Sequence, residues 1–346
     1  MVSRRRPRVC IVSPALADAN NGNWHTASRW QKFLAPVADV QIVLAWSGAT
    51  PADALIALHA RRSADSIEGF AAAHPHAPLA LVMTGTDLYR DIRTEAAAQH
   101  AMQCASHVVV LQDEGLMALP AAVRARARVI VQSATKLVRR SPSRTPFELV
   151  AVGHLREEKD PTTLMAAARL LPADTPVHIT HIGGALDPAL GALAEQTMQA
   201  CPLYRWRGAL PRASARRHMA GSRALVHMSR MEGGANVVIE AVRSGVPVLA
   251  SRIDGNVGLL GADYDGYFPV GDAQALARLM QRAASDENFL AHLRAQCALR
   301  EPRFTPATER AAVRGLLADM LALRTSTSAD TITEPQPLLR QTEDTP

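Results

Sequence analysis

Short apolar runs alternate with longer helix-like segments along most of the chain, and this alternation limits the possible folds more than any other feature. It is typical of stacked βαβ units, in which parallel strands are joined by helices that cover the sheet. The sequence therefore predicts an α/β protein with parallel sheets. The predicted strands are Val9–Ser13, Val40–Ala45, Leu55–Leu58, Leu79–Thr84, His107–Leu111, Val129–Val131, Glu148–Val152, Val177–Ile182, Ala224–His227 and Val246–Ala250, and the predicted helices include Thr26–Leu34, Ala96–Cys104, Thr162–Leu171 and Thr308–Leu323.

The length of 346 residues is enough for two domains of about 150 residues each. The segment from Lys136 to Pro146 has the composition of a linker, so we expect two Rossmann-like halves, at 1–145 and 146–302, around a cleft. A terminal helix is assigned to 303–324. Residues 325–346 lack an apolar period and are predicted to be a disordered tail. Ligands of such sheets bind beyond the carboxyl ends of the strands, so functional residues are expected in the loops that follow strands.

The composition excludes several classes of protein. With 48% hydrophobic and 20% charged residues the chain is neither disordered, nor collagen-like, nor a disulfide-stapled miniprotein. The net charge of +6 is spread along the chain without interleaved aromatic residues, which favours small anionic metabolites over nucleic acid as partners. The cysteines are far apart in sequence, so we expect reduced thiols and no zinc or thioredoxin-like site. They are Cys10, Cys104, Cys201 and Cys297.

The basic N-terminus allows two interpretations. Arg4–Arg8 and the apolar residues that follow, up to Ala17, resemble a signal peptide. The apolar run is short and Pro14 interrupts it, so a first buried strand is the preferred interpretation. No apolar stretch approaches the ~20 residues of a transmembrane helix. A cytoplasmic protein without a membrane anchor is therefore expected.

The strongest functional signal is the segment from Glu232 to Glu240, two carboxylates with Gly233 and Gly234 beside the first. Glu240 lies in an apolar helical run, where a buried carboxylate without partners is costly, so a bound polar ligand is expected; the alternative is an ion pair with an arginine. Eight residues of helix span about 12 Å, which suits two sugars flanking a diphosphate. The helix N-terminus at Gly233–Asn236 would offer N–H groups to phosphate.

Three further loops follow predicted strands. Gly153–Asp160 leads into a helix that Asp160 can cap, with Pro161 at its first position, and it places Lys159 where a phosphate is favoured. The segment Asn20–His25 permits a close backbone approach to a ligand. Thr84–Arg93 combines hydroxyls and arginines and suits a second, anionic substrate. For each loop the alternative is an ordinary surface loop or capped helix start.

Other patterns do not support a cofactor or metal site. The pair Asp263 and Asp265 lies in a turn without further oxygen ligands, and His178 and His181 are three apart on a strand, so they face opposite sides. The sequence has neither a G-x-G-x-x-G motif nor a P-loop. No metal and no cofactor are expected.

Taken in order, the Gly153-His154-Leu155 loop, Lys159, the spacing Glu232-x7-Glu240 and the strand Gly245–Ala250 resemble the retaining-type family 4 glycosyltransferases, which have the GT-B fold. The family usually has Gly-Arg-Leu where this chain has His154. The resemblance is closest to a branch of that family, the selenosugar synthases of selenoneine biosynthesis, in which the histidine is a branch feature. The segments that carry it are 21–27, 58–64, 84–91, 110–112, 153–161 and 232–240.

The resemblance implies two Rossmann domains, an acceptor domain first and a nucleotide-sugar domain second, with the last helix crossing back to the first domain. It also implies a UDP-sugar donor, typically UDP-N-acetylglucosamine, and selenophosphate as acceptor, with no metal and with other enzymes of that pathway as potential partners. The implied catalytic residues are Lys159, Glu232 and His25. The implied donor site is Gly22, Asn23, His154, Arg156, Lys159, Arg207, Glu232, Gly233, Gly234, Ala235, Asn236 and Glu240, and the implied acceptor site is His25, Thr86, Asp87, Arg90 and Arg156.

Within that resemblance, Lys159 would bind the donor diphosphate, Glu240 the ribose hydroxyls and Glu232 the transferred sugar. Three alternatives stay open from the sequence. The first is an ordinary family 4 transferase acting on a hydroxyl acceptor. The second is a UDP-sugar epimerase or hydrolase, and the third is a nucleotide-sugar-binding module without activity.

Overall fold

The computed structural model describes residues 5–16, 22–138 and 145–329, with side chains up to residue 322. Within these ranges the chain forms two six-stranded sheets in which all strands are parallel. This confirms the predicted α/β class. The loop residues Asn20 and Asn21 lie outside the described residues.

The first sheet has the strand order β2-β1-β3-β4-β5-β6. Alternate residues of β1 point to opposite faces, so that Val9 and Ile11 belong to one hydrophobic cluster and Cys10 and Val12 to another. Both faces are therefore covered by helices, as parallel sheets require. Its strands are β1 (Arg8–Val12), β2 (Asp39–Val43), β3 (Ala54–Leu58), β4 (Leu79–Val82), β5 (His107–Val110) and β6 (Ala127–Val129).

The second sheet has the strand order β12-β11-β10-β7-β8-β9 and its own hydrophobic cluster. Strands β7 and β10 are neighbours, so the loops that follow them lie side by side at the carboxyl edge. The strands are β7 (Phe147–Val152), β8 (Val177–Ile182), β9 (Tyr204–Trp206), β10 (Ala224–His227), β11 (Val248–Ser251) and β12 (Tyr267–Phe268).

The helices of the first half are α1 (Gly22–Leu34), α2 (Ala64–Ala73), α3 (Ile92–Thr94), α4 (Ala96–Cys104), α5 (Gly115–Ala118) and α6 (Ala121–Arg124), with a π-helical turn at Asp87–Asp91. Those of the second half are α7 (Pro161–Leu170), α8 (Pro188–Ala200), α9 (Arg212–Gly221), α10 (Asn236–Arg243), α11 (Asp254–Leu260), α12 (Ala273–Ser285), α13 (Glu287–Arg300) and α14 (Pro306–Ala329), with 3-10 turns at Glu157–Lys159 and Glu301–Phe304. None of the described helices is long and apolar enough to cross a membrane.

The C-terminal helix α14 packs on the first sheet, as expected. Val313, Leu316 and Met320 belong to the same cluster as residues of β1 and α1. A buried carboxylate fixes this packing: Glu309 accepts hydrogen bonds from Arg29 Nε (2.6 Å), from Trp30 Nε1 (2.9 Å) and from the backbone N–H of Ser133 (2.7 Å). Helix α14 continues to Ala329, past the predicted helix end at 324, and residues 330–346 lie outside the described residues.

Some predicted bounds are wrong for identifiable reasons. Strand β6 ends at Val129 rather than beginning there, and β11 begins at Val248 rather than Val246. Val246 instead completes the turn after α10, because Gly245 adopts a φ of 69° and the Val246 N–H donates to the carbonyl of Ala241 at 2.9 Å. The short strands β9 and β12 were not predicted at all, since two or three residues give no period to detect.

Candidate active site

A cleft of about 650 Å³ lies between the carboxyl edges of the two sheets. Its wall is formed by loops that follow β3 and β4 in the first sheet, by those that follow β7 and β10 in the second, and by the start of helix α1. This is the position that ligands take in doubly wound sheets.

Glu232 lines the cleft from the loop between β10 and α10. Its Oε1 is ion-paired with Lys159 Nζ and accepts from Ser229 Oγ at 2.7 Å, and His227 Nε2 lies 3.2 Å away. Among the described residues nothing donates to Oε2, which leaves that oxygen available to a ligand. Burial alone would raise the pKa of Glu232, but Lys159 and His227 outweigh it and hold the pKa well below its ordinary value. The carboxylate is therefore ionised and anchored on one side.

Two glycines bring the two sheets into backbone contact beside Glu232. A Cβ added to Gly233 would lie 2.5 Å from the carbonyl carbon of Thr84 and 2.8 Å from the nitrogen of Gly85. A Cβ added to Gly85 would lie 3.0 Å from the nitrogen of Gly233. Only glycine permits so close an approach of two loops. The loop after β4 is thereby held against the loop after β10.

Glu240 also lines the cleft, from helix α10, and only 7% of it is exposed. Its Oε1 accepts from both Nε (3.0 Å) and Nη2 of Arg212, and Arg216 Nε lies 3.6 Å away. The burial of Glu240 is thus compensated within the protein, and the arginine pair that the sequence left as the alternative is present. In the described part of the chain no group donates to Oε2 of Glu240, so this carboxylate too has one oxygen free.

Helix α10 begins at Asn236, which changes the predicted relation between the two glutamates. Glu232 lies in the turn before the helix, so the helical rise of eight residues does not measure their separation. The N-cap residue Ala235 provides no side-chain hydrogen bond to the first turn. The N–H of Val238 donates to the carbonyl of Ala235 at 3.0 Å, whereas the N–H groups of Asn236 and Val237 have no acceptor within the helix. Both residues line the cleft, where the positive end of the helix dipole lies.

His154 and Lys159 lie on the loop after β7 and line the cleft. Burial, then Arg156 and Lys159, lower the pKa of His154, so its imidazole is neutral near pH 7. Its Nδ1 accepts from the N–H of Gly184 at 3.1 Å, which leaves the proton on Nε2. His154 can therefore donate one hydrogen bond to a ligand but contributes no positive charge to the cleft.

Asp160 occupies the N-cap of α7 but does not cap it in the expected way. Its φ is 47°, and its carboxylate accepts from the hydroxyls of Thr162 (2.8 Å) and Thr163 (2.7 Å) rather than from backbone N–H groups. Arg230 also lies 3.3 Å from the carboxylate. Asp160 thus ties the loop that carries Lys159 to the loop after β10.

On the first domain, Gly22, Asn23 and His25 at the start of α1 line the cleft. Burial, followed by the charges of Arg212 and Arg29, lowers the pKa of His25 to about 4. His25 is therefore neutral near pH 7 and can exchange hydrogen bonds with a ligand but cannot attract it by charge.

Three residues implied by the resemblance are not among those that line the cleft: Arg207, Asp87 and Arg90. Arg207 is exposed. Asp87 is fully buried, where it accepts from the N–H of Thr84 (2.7 Å) and the N–H of Ala60 (2.8 Å), so it shapes the loop. Arg90 is paired with Asp91 at 3.0 Å and with Glu158 at 3.4 Å. The other implied residues do line the cleft: Gly22, Asn23, His25, Thr86, His154, Arg156, Lys159, Glu232, Gly233, Gly234, Ala235, Asn236 and Glu240.

The sequence reasoning missed several residues of the cleft wall: His59, Arg62, Gln132, Arg212 and Arg216. The spacing of Arg212 and Arg216, four residues apart after Pro211, was a usable signal for two side chains on one helix face. His59 and Arg62 lie in the segment 58–64 that carries the resemblance, but no role is assigned to them there, and Gln132 carries no signal in the sequence. Among the described residues, no group of three or more His, Cys, Asp or Glu side chains is placed to hold a metal ion.

Part of the chain matches a family model, and the whole fold resembles solved structures. Residues 135–299 match the family model for Glycosyl transferases group 1. None of the curated proteins matches the chain at significant sequence similarity. Among solved structures, Anabaena HepE in complex with UDP and glucose is 16% identical, with a TM-score of 0.71 over 90% of this chain and 100% of HepE.

Two further solved structures have the same architecture. Sucrose-phosphate synthase from Thermosynechococcus elongatus is 15% identical, with a TM-score of 0.72 over 92% of this chain and 100% of that protein. The pneumococcal O-GlcNAc transferase GtfA, in complex with UDP and GlcNAc, is 18% identical, with a TM-score of 0.63 over 78% of this chain and 57% of GtfA. Together with the two facing parallel sheets, these similarities show that the chain has the GT-B fold.

Proposed function

We propose that this protein is a glycosyltransferase that moves a sugar, N-acetylglucosamine, from a UDP-sugar to the selenium of selenophosphate. The products are UDP, phosphate and a 1-selenosugar. The observation that carries the transferase part is the pair of glutamates on the cleft wall, Glu232 and Glu240. Each is held by cations at Oε1 and keeps Oε2 available.

This arrangement suits a nucleotide sugar with hydroxyl groups at both ends. An ionised carboxylate oxygen without a protein partner is a strong acceptor for a sugar hydroxyl. In this proposal Glu240 holds the ribose and Glu232 the transferred sugar. The cations beside Oε1 compensate the negative charge of both carboxylates, so neither site needs a ligand to remain stable.

The diphosphate lies between the two glutamates in the proposed complex. Lys159, the N–H groups at the start of α10 and the neutral imidazole of His154 are the donors on this part of the wall. Negative charge grows on the leaving diphosphate as the bond from the sugar C1 to oxygen breaks, and fixed donors stabilise that charge. His154 donates without adding charge, so Lys159 is the single formal cation of this group.

The proposed acceptor needs no strong base, because selenophosphate is already anionic. A selenium lone pair forms the Se–C1 bond while the C1–O bond breaks and its electrons leave with UDP. Water then cleaves the P–Se bond of the selenium-linked intermediate, giving phosphate and a selenol. The selenium part of the proposal rests on the motif resemblance, and the UDP-sugar part is supported by HepE, GtfA and the group 1 match.

The test is UDP release from UDP-N-acetylglucosamine with and without selenophosphate, with mass analysis of the product. Release that requires selenophosphate and yields a selenium-bearing sugar supports the proposal. Release without an acceptor would identify a hydrolase or an epimerase. Release that requires a hydroxyl acceptor instead would identify an ordinary transferase, and tight UDP binding without turnover of any donor would identify a binding module.

Two variants test the assigned roles in the same assay. Glu240→Ala should weaken UDP-sugar binding by about tenfold or more, because a ribose acceptor is lost. Lys159→Ala should mainly lower kcat, because the charge that meets the leaving group is lost. The exposed residues Glu195 and Lys32 supply matched controls, Glu195→Ala and Lys32→Ala, which should behave like the wild type. Unchanged kinetics in both site variants would contradict the assignment.

A further inference from the structure

Cationic side chains outnumber carboxylates among the described residues that line the cleft. The described residues contribute five cations and three carboxylates: Arg62, Arg156, Lys159, Arg212 and Arg216, and Glu158, Glu232 and Glu240. Lys159 faces Glu232, and Arg212 and Arg216 face Glu240. Arg156 lies 3.9 Å from Glu158. Within the described part of the chain, the guanidinium of Arg62 has no carboxylate partner.

Arg62 follows strand β3 and lies next to a histidine with an unusual backbone. His59 has a φ of 73°, in the left-handed region that residues other than glycine adopt rarely. Such a conformation persists only where the surroundings enforce it, and it occurs often at functional sites. Here it helps to place His59 on the cleft wall, 3% exposed, with its ring 3.0 Å from the hydroxyl of Thr86.

The hydrogen bonds of His59 determine whether the hydroxyl of Thr86 is free to donate to a ligand. The Nδ1 of His59 accepts from the N–H of Arg62 at 3.4 Å, so the ring proton of the neutral imidazole lies on Nε2. Burial lowers the pKa of His59, with Arg62 and Arg61 acting in the same direction and Asp87 and Asp91 opposing them. Nε2–H therefore donates to Thr86 Oγ1. The proton of the Thr86 hydroxyl is left to donate elsewhere.

Arg62 and Thr86 thus offer two donors on the wall of the first domain, a guanidinium and a hydroxyl, and none of the described residues that line this wall is a carboxylate. Both groups line the cleft, and across it Arg156 lines the wall of the second domain. Two donors of this kind match an oxyanion with several acceptor oxygens and negative charge.

We propose that Arg62 and Thr86, with His59 as the residue that orients the hydroxyl, form a second anion site for a phosphate-type dianion. It is separate from the diphosphate position at Lys159. The anion site is inferred independently of the proposed function. The further statement that it binds the phosphate group of selenophosphate rests on the proposed function. This site takes the place of Arg90, which is paired with Asp91 and Glu158 and is not among the described residues that line the cleft.

The anion site is tested with inorganic phosphate, measured by calorimetry on the full chain with UDP at saturation so that the diphosphate position is filled. Arg62→Ala should weaken phosphate binding by about tenfold or more, and Thr86→Val by a smaller factor, with UDP affinity unchanged. Arg62→Lys should restore part of the affinity, because the charge returns without the planar fork. Arg93→Ala, which removes an exposed arginine of the same domain, is the matched control.

The outcomes separate this site from the proposed function. If Arg62→Ala binds phosphate like the wild type, or the UDP-saturated wild type binds none, the site is overturned. If phosphate binds at Arg62 but selenophosphate is not turned over, the proposed function fails and the site stands. If selenophosphate is turned over, its KM should rise in Arg62→Ala while the KM of the UDP-sugar stays unchanged; an unchanged selenophosphate KM overturns the site alone.

Discussion

Replacing Gly233 by alanine should push apart the two loops that meet across the cleft. The new Cβ would lie 2.5 Å from the carbonyl carbon of Thr84. Two carbon atoms in favourable contact are about 3.5 Å apart, so the loops must separate by roughly 1 Å. The opposing atoms of Thr84 and Gly85 belong to the backbone, and no side chain can rotate away to relieve the overlap.

That displacement should lower activity more than nucleotide binding. Glu232 adjoins Gly233, and Thr86 follows Gly85 in the opposing loop, so groups from the two domains would be displaced relative to each other around the reacting atoms. A displacement of about 1 Å can cost roughly 100-fold in rate, and we expect a loss of that order in kcat/KM for UDP release. The Kd of UDP, measured by calorimetry, should change much less, because the residues proposed to hold UDP lie on the second domain.

Two other glycines give a graded series. A Cβ on Gly85 would lie 3.0 Å from the nitrogen of Gly233 and 3.2 Å from the Cα of Glu232, a milder overlap that predicts an intermediate loss for Gly85→Ala. A Cβ on Gly221 meets no atom within 4 Å, so Gly221→Ala should match the wild type. Thermal unfolding confirms that each variant is folded. A folded Gly233→Ala protein with wild-type kcat/KM would refute the reasoning.

Three predictions concern stability, each measured by urea unfolding. Burial lowers the pKa of His181 to about 4, so the free energy of unfolding falls as the pH drops from 6.5 toward 4 and the unfolded chain takes up a proton that the buried imidazole does not. The loss should be roughly 2 kcal/mol at pH 5, and an equal pH dependence in His181→Gln would contradict this. Gly315→Ala, at an exposed position inside α14 with open space around its Cβ, should stabilise the fold by about 1 kcal/mol; a loss would show an unseen constraint. Glu309→Gln should destabilise the fold by roughly 3 to 5 kcal/mol, because a neutral amide cannot satisfy the donors from Arg29, Trp30 and Ser133. A change below about 1 kcal/mol would count against these hydrogen bonds.

The parts of the fold that the sequence predicts well are those whose local pattern matches their final surroundings. Strands β8 and β10 are predicted with their observed bounds, because each is a short run that contains apolar residues and is bounded by polar or turn residues. The contact between Lys159 and Glu232 follows from topology, since β7 and β10 pair and their loops must adjoin. Neither the bounds of these strands nor the contact between Lys159 and Glu232 requires tertiary information beyond the order of strands in a parallel sheet.

The remainder depends on packing that no local pattern records. Glu240 meets Arg212 and Arg216 because α9 packs beside α10, and the sequence alone left open whether an arginine or a ligand compensates its charge. Arg62 and Arg90 are both arginines that follow strands of the first sheet. Only the positions of Asp91 and Glu158 in the folded protein decide that Arg90 is ion-paired, whereas Arg62 lines the cleft and has no carboxylate partner among the described residues.

Helix α14 follows the whole second domain in the sequence yet belongs to the core of the first. The polypeptide therefore passes between the domains twice, and neither half can be excised with a single cut. A fragment ending near residue 138 would expose the surface that Val313, Leu316 and Met320 cover and would leave Arg29 and Trp30 without their carboxylate. Splitting this protein into independently expressed pieces requires supplying residues 306–329 to the first piece, either as a separate peptide or by circular permutation.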